Sequence, residues 1–413
     1  MLEISSIIKN KENFLQGLKN RGIKNAEELI NNVLELDCKR KILKTNFDKI
    51  SSEIKIRSNE IEQKIKKKDD IDKIKNEIYI LKNDLKKTKD KLATTEDLLK
   101  NSLYNIPNCP NEKSPIGKNS KDNKVVFQTS IPEIKTRIPH YEIIKVLDII
   151  DFELGNKLTG AGFPVYKGFG ARLQRALINF FLDEAIKVGF KEHELPIICN
   201  DDSFYGTGQM PDKELQMYKV DENFHLIPTA EVPLTNLYRD VIVDEKDLPI
   251  KLTGYTPCFR REAGSWGKEV RGLNRLHQFD KIEIVEITKP EESYDTLEKM
   301  RSYVEGLVKK LGIPYRILSL CTGDLGFNAA FTYDIEVYSV GQDMWLEASS
   351  ISNFESYQAN RLKLRYKNTQ GEKFLCHTLN GSALALPRIV AALIELNYDG
   401  EKIKIPNVLE KYF

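Results

Sequence analysis

The chain has 413 residues and a mass of 47.5 kDa, a length that indicates two or three domains. Its 41% apolar residues suffice for a core, and the absence of any run of 18 apolar residues argues against a transmembrane helix. The six cysteines form no CxxC pair, the five histidines form no HxxxH pair and no signal peptide is recognisable. We therefore expect a reduced, cytoplasmic protein without zinc and without membrane contact.

The first predicted element is a long helical arm. Residues 27–103 contain neither proline nor glycine, and apolar positions recur there at alternating intervals of three and four, the spacing of a heptad seam. The stretch KIKKKDD at 64–70 interrupts this spacing. We predict two helices of about 35–40 residues that pack antiparallel as a coiled-coil hairpin about 50–60 Å long. In the second helix the predicted seam consists of Ile71, Ile74, Ile78, Leu81, Leu85, Thr88, Leu92, Thr95 and Leu99.

The arm is also the basic part of the chain. Residues 1–110 carry 24 Lys and Arg against 18 Asp and Glu, a balance of +6, whereas the remainder carries 39 against 43, a balance of −4. Two interpretations stay open from this segment alone. The arm is either a solvated dimerisation coil or spacer, or a basic lever that contacts an acidic partner such as nucleic acid.

The composition changes after the arm. The stretch 107–124 is rich in Pro, Asn and Lys and is predicted as a linker, so the predicted domains are 1–106, 107–124 and 125–413. In the last of these, helices are predicted at 172–189, 291–311 and 384–397. Strands are predicted in HLIPTAEV, KLTGYTPCFRRE, RLHQFDKIEIVEI, TYDIEVYSV, MWLEASS and FLCHTLN. Hairpin-paired strands with separate helices indicate an α+β body with an antiparallel sheet.

The stretch 258–283 concentrates fixed charge on both arms of a predicted hairpin. If CFRRE is a strand, Arg260 and Glu262 share one face and Arg261 points away, and Phe279 and Glu283 share a face of the following strand. An arginine binds phosphate or carboxylate, an aromatic ring stacks on a base, and a buried carboxylate accepts from an amine or a hydroxyl. This hairpin is consistent with a site for a nucleotide and a small amine, or with an exposed hairpin held by cross-strand ion pairs.

Three further segments carry polar groups of the same kind. PTAEVPLTN offers Thr229 and Glu231 on one predicted strand face, and WLEASSISN offers Glu347 and Ser350, oxygen ligands that suit Mg²⁺. Because Glu347 and Ser350 are three residues apart, sharing a metal requires a bulge or a strand end. Arg388 lies early in the last predicted helix. It is either a second arginine that binds phosphate or an ordinary surface arginine. The lack of GxGxxG and GxxxxGK[ST] argues against a Rossmann or P-loop site.

These segments resemble known motifs in several long blocks. FRREAG with RGLNRLHQFDKIE resembles motif 2 of the class II aminoacyl-tRNA synthetases in its seryl form, and NGSALALPRIVAALIE resembles motif 3. PTAEVPLTN, GTGQMP, CTGDLGFNAA and EASSISNFESYQANR are similar to other blocks of the seryl family, and the hairpin is similar to its tRNA-binding arm. The resemblance spans essentially the whole chain. It implies the class II fold, an antiparallel sheet flanked by helices with the N-terminal coiled-coil hairpin, in a homodimer.

The resemblance also implies an activity and an ATP site. The implied enzyme activates L-serine with ATP as seryl-adenylate and transfers serine to the 3′ end of serine tRNA. Arg260, Glu262 and Arg388 match the catalytic positions: Arg260 at the α-phosphate and the serine carboxylate, Glu262 at the adenine amino group and Arg388 at the γ-phosphate. Phe279 matches the ring beneath adenine. The full implied ATP set is Arg260, Arg261, Glu262, Leu276, Phe279, Glu347, Ala348, Ser349, Ser350 and Arg388.

The implied serine site lies beside it. Thr229 and Glu231 match positions at the amino group of serine, and Glu283, Asn380 and Ser382 match positions around its hydroxyl. Glu347 and Ser350 match the Mg²⁺ ligands of the family. The full implied serine set is Thr229, Ala230, Glu231, Arg260, Glu283, Asn380 and Ser382.

Two alternatives remain beside this interpretation. The first is another class II amino-acid-activating enzyme, one that charges a carrier protein or a different amino acid; a carrier-charging relative would not need the long arm, which this chain has. A non-catalytic RNA-binding relative would be expected to lack phosphate-binding arginines or metal ligands, whereas Arg260, Arg388, Glu347 and Ser350 are all present. The resemblance leaves two substrate ranges open: serine tRNA alone, or serine tRNA together with selenocysteine tRNA.

Overall fold

The structure is a computed structural model that describes residues 1–67, 70–133, 137–212, 215–262 and 271–413. The loop predicted between the two charged strands, 263–270, therefore lies outside the described residues. Within the described part, no helix is both long enough and apolar enough to cross a membrane. The chain divides into two compact units: one of Leu2–Lys19 and Ile23–Ile106, and one of Met1, Asn20–Gly22 and Pro107–Phe413.

The secondary structure is labelled in chain order. The helices are α1 (Ile4–Lys9), α2 (Lys11–Asn20), α3 (Ala26–Lys67), α4 (Asp72–Tyr104), α5 (His140–Val146), α6 (Phe152–Leu158), α7 (Gly168–Lys187), α8 (Asp201–Thr207), α9 (Glu231–Asn236), α10 (Ser293–Leu311), α11 (Tyr357–Leu362) and α12 (Leu386–Asn397). The strands are β1 (Lys124–Gln128), β2 (Ile150–Asp151), β3 (Val165–Tyr166), β4 (Lys191–Glu192), β5 (Ile198–Asn200), β6 (Lys219–Asp221), β7 (Phe224–Leu226), β8 (Ile242–Asp244), β9 (Ile250–Phe259), β10 (Gln278–Thr288), β11 (Tyr315–Ser319), β12 (Phe331–Ser339), β13 (Met344–Asn353), β14 (Arg365–Lys367), β15 (Lys373–Leu375) and β16 (His377–Ala385).

The smaller unit is dominated by the two helices α3 and α4, of 42 and 33 residues. Their direction follows from two cross-helix contacts: Asn32 bonds to Ser102 near one end, and Arg57 pairs with Glu77 near the other. Rising numbers on α3 therefore meet falling numbers on α4, which confirms the predicted antiparallel hairpin. The buried side chains of α4 are Ile74, Ile78, Leu92, Thr95, Leu99 and Leu103, and all but the last belong to the predicted seam.

The larger unit is built on an eight-stranded sheet in the order β1-β11-β12-β13-β16-β10-β9-β4. Its neighbours pair antiparallel except at one edge, where β4 runs parallel to β9. This confirms the predicted α+β class with an antiparallel-dominated sheet. Side chains alternate between the two faces of β10: Ile282 and Ile284 join the main hydrophobic core, whereas Lys281 and Glu283 lie on the opposite face.

Helices α7, α10 and α12 bury apolar faces in the same core as Ile282 and Ile284. The predicted helix at 172–189 begins earlier, at Gly168, and ends at Lys187. Gly189 follows with φ +93°, a left-handed conformation that favours glycine and closes the helix. Helices on one face and polar side chains on the other leave the second face of the sheet available for a binding site.

The structure corrects the prediction that HLIPTAEV is one strand. Strand β7 ends at Leu226, and Glu231 is the first residue of helix α9. The backbone N–H of Glu231 donates to Thr229 Oγ1 at 3.2 Å, a local bond that begins a helix rather than a strand ladder. Pro233 lies in the first turn of α9, where a missing N–H leaves no helical bond unmade.

The structure also corrects the extent of the charged hairpin. Strand β9 ends at Phe259, so Arg260, Arg261 and Glu262 lie beyond it. The Arg260 N–H still donates to His277 O at 2.9 Å, but Glu262 has φ +48°, so strand alternation does not govern this segment. The face shared by Phe279 and Glu283 on β10 is present as predicted.

The segment predicted as a linker is counted with the larger unit. Its Asn108 side chain donates to Asn328 O and Phe354 O, both at 2.9 Å, and Ser114 donates to Ala330 O at 3.2 Å. The three domain boundaries given above stay a prediction.

Candidate active site

A polar cleft of about 760 Å³ opens on the sheet face opposite the main core. Its volume is in the range of small-molecule sites, roughly 300–1,000 Å³. Of the residues predicted for the site, the lining contains Thr229, Glu231, Arg260, Glu262, Leu276, Phe279, Glu283, Glu347, Ala348, Ser349, Ser350, Asn380, Ser382 and Arg388. The structure thus brings together residues that lie up to 159 positions apart in the chain (229 to 388).

Two predicted residues do not reach this lining. Ala230 is fully buried behind it, in a cluster with Leu234, Leu252 and Val285. Arg261 is exposed, and its backbone N–H donates to Gln216 O at 2.8 Å. A role for either residue in ligand contact therefore has no support from its side-chain position.

The floor of the cleft is a buried group around Glu283. Lys281 Nζ lies 2.6 Å from Glu283 Oε2 and donates to Thr229 Oγ1 at 2.9 Å. Thr229 Oγ1 donates to Glu283 Oε2 at 2.8 Å, and Asn380 Nδ2 donates to Glu283 Oε1 at 3.0 Å. Both oxygens of this fully buried carboxylate are bonded, so its charge is balanced by a cation and by oriented donors.

Glu231 is the second buried carboxylate of the floor. Gln358 Nε2 donates to its Oε1 at 2.6 Å, and Gln209 Nε2 lies 3.4 Å from its Oε2. Burial first, and the nearby Glu283 carboxylate second, raise the pKa of Glu231 to about 7. A carboxylate in this position favours a ligand that brings positive charge.

Arg260 and Phe279 form one wall. The Arg260 guanidinium lies over the Phe279 ring, 5.3 Å from its centroid, and its Nε donates to Pro228 O at 3.4 Å. Glu262 pairs with Arg275 across the mouth of the charged hairpin. The wall therefore offers a flat ring with a cation and a carboxylate beside it.

The opposite wall contains the bulge that shared metal binding by Glu347 and Ser350 requires. Ile335 pairs with Ser349 and Glu336 pairs with Glu347, so Ala348 is the extra residue on β13. A bulge re-aims the side chains that follow it. Without it, Glu347 and Ser350 would point to opposite faces of the sheet.

Asp334, on β12 opposite Ser350, is a lining residue that the sequence analysis missed. Burial first, and the Glu347 carboxylate second, raise the pKa of Asp334 well above its usual range, while the Ser350 hydroxyl lowers it. Its Oδ1 has no hydrogen-bond partner among the described residues. Within the same part of the chain, no three His, Cys, Asp or Glu side chains form a metal cluster by themselves. A cation here would depend on oxygen ligands from outside the protein as well.

Arg388 lies in the first turn of α12, with Pro387 before it at a position where proline is tolerated. Its Nε donates to Asn274 O at 3.0 Å and its Nη1 donates to Glu347 O at 2.5 Å. The guanidinium, which lines the cleft, is therefore fixed by two backbone carbonyls.

Sequence reasoning did not name Lys281, Asp334 or Asn274 as site residues. A signal was present for Lys281: it lies two residues from both Phe279 and Glu283, so strand alternation places all three on one face of β10. Asp334 carried a weaker signal, as one of two carboxylates, with Glu336, in the predicted strand TYDIEVYSV. The contact of Asn274 with Arg388 depends on tertiary structure alone.

Comparison with known proteins adds a family. Residues 216–397 match the tRNA synthetase class II core domain (G, H, P, S and T), and residues 1–110 match the seryl-tRNA synthetase N-terminal domain. A serine–tRNA ligase from Akkermansia muciniphila is 44% identical over 417 residues, which cover 100% of this chain and 98% of that protein.

Two solved structures are similar over almost the full length. Seryl-tRNA synthetase from Pyrococcus horikoshii, complexed with ATP, has a TM-score of 0.90 at 31% identity. The match covers 100% of this chain and 98% of that one. The cytoplasmic serine–tRNA ligase from Naegleria fowleri, in complex with AMP, has a TM-score of 0.84 at 26% identity, with coverage of 98% of this chain and 94% of that one.

The raised pKa of Glu231 predicts a pH-dependent stability. The folded protein binds this proton more tightly than the unfolded chain, so the stability that Glu231 contributes below about pH 4.5 is lost as the pH rises through about 7. Glu231→Gln does not ionise and should gain stability relative to the parent between pH 5 and pH 8, by up to about 3 kcal/mol. Urea unfolding at each pH measures this difference. The exposed control Glu401→Gln should show none, and parallel curves for Glu231→Gln and the parent would contradict the prediction.

Proposed function

The chain belongs to the seryl-tRNA synthetase family of class II ligases, and we propose that its cleft joins L-serine to ATP and then passes the serine to the 3′ end of serine tRNA. The observation that carries the proposal is the buried floor. Glu283, bonded by Thr229, Lys281 and Asn380, lies in one cleft with Glu231. This arrangement offers bonding groups for a small molecule with both a hydroxyl and an ammonium.

Activation of serine needs no covalent nucleophile on the protein. An oxygen of the serine carboxylate attacks the α-phosphorus of ATP, the bond to pyrophosphate breaks, and seryl-adenylate forms. A hydroxyl of the terminal tRNA ribose then attacks the serine carbonyl and AMP leaves. The contribution of the protein is positioning and preorganised charge, which accounts for a cleft of arginines and carboxylates.

The ATP roles fall on the walls. Phe279 would lie beneath adenine, Glu262 would accept from its amino group, and Arg260 would face both the α-phosphate and the serine carboxylate. The nearness of Arg260 to Phe279 supports this arrangement, because only the ribose separates the base from the α-phosphate in the nucleotide. Arg388, held by two backbone carbonyls in the lining of the cleft, would meet the γ-phosphate.

The serine roles fall on the floor. Glu231 and Thr229 would hold the ammonium, and Glu283, Asn380 and Ser382 would surround the hydroxyl. A site built to bond a hydroxyl rejects alanine strongly, because alanine leaves buried polar groups unpaired. Threonine is excluded by lack of room for one methyl group, a weaker filter of about 1–3 kcal/mol.

The bulged wall suits Mg²⁺. Glu347 and Ser350 would hold the ion, with phosphate oxygens and water as further ligands. The orphaned Asp334 Oδ1 and its repulsion by Glu347 support a cation at this wall. When bound, the ion supplies charge that offsets the phosphate oxygens.

The arm and the sheet edges suggest the macromolecular partners. The basic hairpin would bind the long variable arm of serine tRNA; charging of selenocysteine tRNA would use the same surface. A second copy of the chain is the other expected partner, in the cytoplasm. The edge strand β1 supports a homodimer because Val125, Val126 and Phe127 are 47%, 50% and 43% exposed there. The stretch RALINFFLDEAIKVGFKEHELP, which contains most of α7 and all of β4, resembles motif 1, the dimer-forming motif of the class II family.

Removal of the Arg260 guanidinium tests the phosphate and carboxylate assignment. Arg260→Ala should lower serine-dependent ATP–pyrophosphate exchange by about 10²–10³-fold in kcat/KM, the usual cost of losing one preorganised charge donor. Arg301→Ala, which removes a half-buried arginine from the surface of α10, is the matched control and should keep full activity. Exchange that survives in Arg260→Ala would remove this residue from the mechanism.

Deletion of residues 30–100 tests the arm. If the hairpin only grips tRNA, the shortened protein should lose tRNA charging and keep ATP–pyrophosphate exchange. Its lysines should also make the tRNA affinity of the full chain fall steeply with salt. Loss of both activities would make the arm a folding element, and a flat salt response would argue against phosphate contacts.

A further inference from the structure

A second buried polar cluster lies outside the cleft lining and has no part in the roles above. Its centre is the pair His140 and Glu395, whose side chains have no exposed surface and whose Nδ1 and Oε1 atoms are 2.8 Å apart. The backbone N–H of His140, an otherwise orphaned donor at the start of α5, also donates to Glu395 Oε1, at 2.9 Å. The pair therefore ties the start of α5 to the last turns of α12.

The other Glu395 oxygen binds a turn. Ser339 Oγ donates to Glu395 Oε2 at 2.5 Å and the Gly341 N–H donates to it at 3.0 Å. Gln342, in the same turn, donates from Nε2 to Ser339 Oγ at 2.8 Å. One carboxylate thus fixes α5, α12 and the turn 339–342 together.

The far nitrogen of His140 reaches the cleft rim. Leu273 N–H donates to His140 Nε2 at 2.9 Å, so Nε2 carries no proton and the Nδ1 proton is the one shared with Glu395. The turn Gly272–Asn274 passes so close to the ring that a Cβ on Gly272, which has φ +68°, would lie 2.3 Å from Nε2. Only glycine suits this position.

The next residue is held as well. Asn274 Nδ2 donates to Gln342 Oε1 at 2.8 Å, and Gln342 Nε2 lies 3.3 Å from Asn274 Oδ1. The carbonyl of Asn274 is the one that receives Arg388 Nε at 3.0 Å. Arg388 and Glu395 are seven residues apart, two turns of α12, and so lie on one face of that helix. This face of α12 is thus linked to the Gly272–Asn274 turn twice: directly by Arg388, and through His140 by Glu395.

We propose that His140, Glu395 and Gln342 are positioning residues that hold the Gly272–Asn274 turn so that Asn274 O fixes the Arg388 guanidinium for the terminal phosphate. The inference rests on the γ-phosphate role proposed for Arg388. A long, flexible arginine side chain gains binding energy when its geometry is set before the ligand arrives. Loss of the contacts of His140, Glu395 or Gln342 should therefore weaken binding of the terminal phosphates of ATP and leave binding of its adenine unchanged.

The test is the ratio of the dissociation constants of ATP and AMP, measured by calorimetry on the full chain. Arg388→Ala is the reference and should weaken ATP about 10- to 100-fold with AMP unchanged. Gln342→Ala, at a half-buried site, and His140→Asn, whose amide retains a donor for Glu395 but not an acceptor at the place of Nε2, should weaken ATP about 3- to 10-fold with AMP unchanged. Gln370→Ala, in an exposed turn, is the matched control for Gln342→Ala and should change neither.

The double variant Gln342→Ala with Arg388→Ala completes the cycle. If Gln342 acts through Arg388, the double variant should bind ATP no more weakly than Arg388→Ala alone. Equal weakening of ATP and AMP in Gln342→Ala and His140→Asn would mean general damage to the cleft and would overturn the inference. Unchanged ATP binding in Gln342→Ala and His140→Asn, with ATP binding impaired in Arg388→Ala, would overturn the positioning inference and leave the phosphate role of Arg388 intact. Unchanged ATP binding in Arg388→Ala would instead refute the proposed phosphate role.

Discussion

The constraint on which the site depends is that charges buried on the polar face of the sheet must be paired. Lys281 and Glu283 are 5% and 0% exposed, and an isolated charge at such a depth would cost several kcal/mol. Their mutual ion pair, with Thr229 and Asn380 as donors, removes most of that cost. A slip of one residue in β10 would turn this pair into the hydrophobic core and expose Ile282 and Ile284 to the cleft. The register of the sheet and the geometry of the floor are therefore fixed by the same pattern.

The same constraint explains why the cleft favours positively charged ligands. Glu231 is a buried carboxylate and Asp334 a half-buried one; both have raised pKa values, and each is near another carboxylate. Burial beside a second carboxylate disfavours the charged form of both side chains in the free protein, whereas an ammonium at Glu231 and a divalent cation near Asp334 would favour it in the complex. The unfavourable ionisation of these two carboxylates thus favours ligands that bring positive charge. The arginines of the cleft favour phosphate.

The sequence predicted the elements whose cause is local. The arm follows from a stretch without proline or glycine and from its heptad spacing, and the face of β10 follows from alternation. The prediction was wrong for PTAEV, where a side-chain bond from Thr229 starts a helix that alternation does not reveal. It also extended β9 past Phe259, because strand propensity contains no signal for the positive φ of Glu262.

Other features depend on partners that are distant in the chain. The bulge at Ala348 was required by the spacing of Glu347 and Ser350, but its position depends on pairing with β12. The His140–Glu395 bond joins residues 255 positions apart, and although Glu395 ends the block that resembles motif 3, nothing in the sequence pairs it with His140. Only the folded chain relates this pair to Arg388.

The most direct measurement is ATP–pyrophosphate exchange without tRNA, run in parallel with serine, threonine, alanine and glycine. A floor built around Glu283 for a hydroxyl and around Glu231 for an ammonium predicts rapid exchange with serine. It predicts only trace exchange with alanine and glycine, and a smaller but clear discrimination against threonine. Equal or faster exchange with any of the other three amino acids would contradict the assignment of the floor to serine.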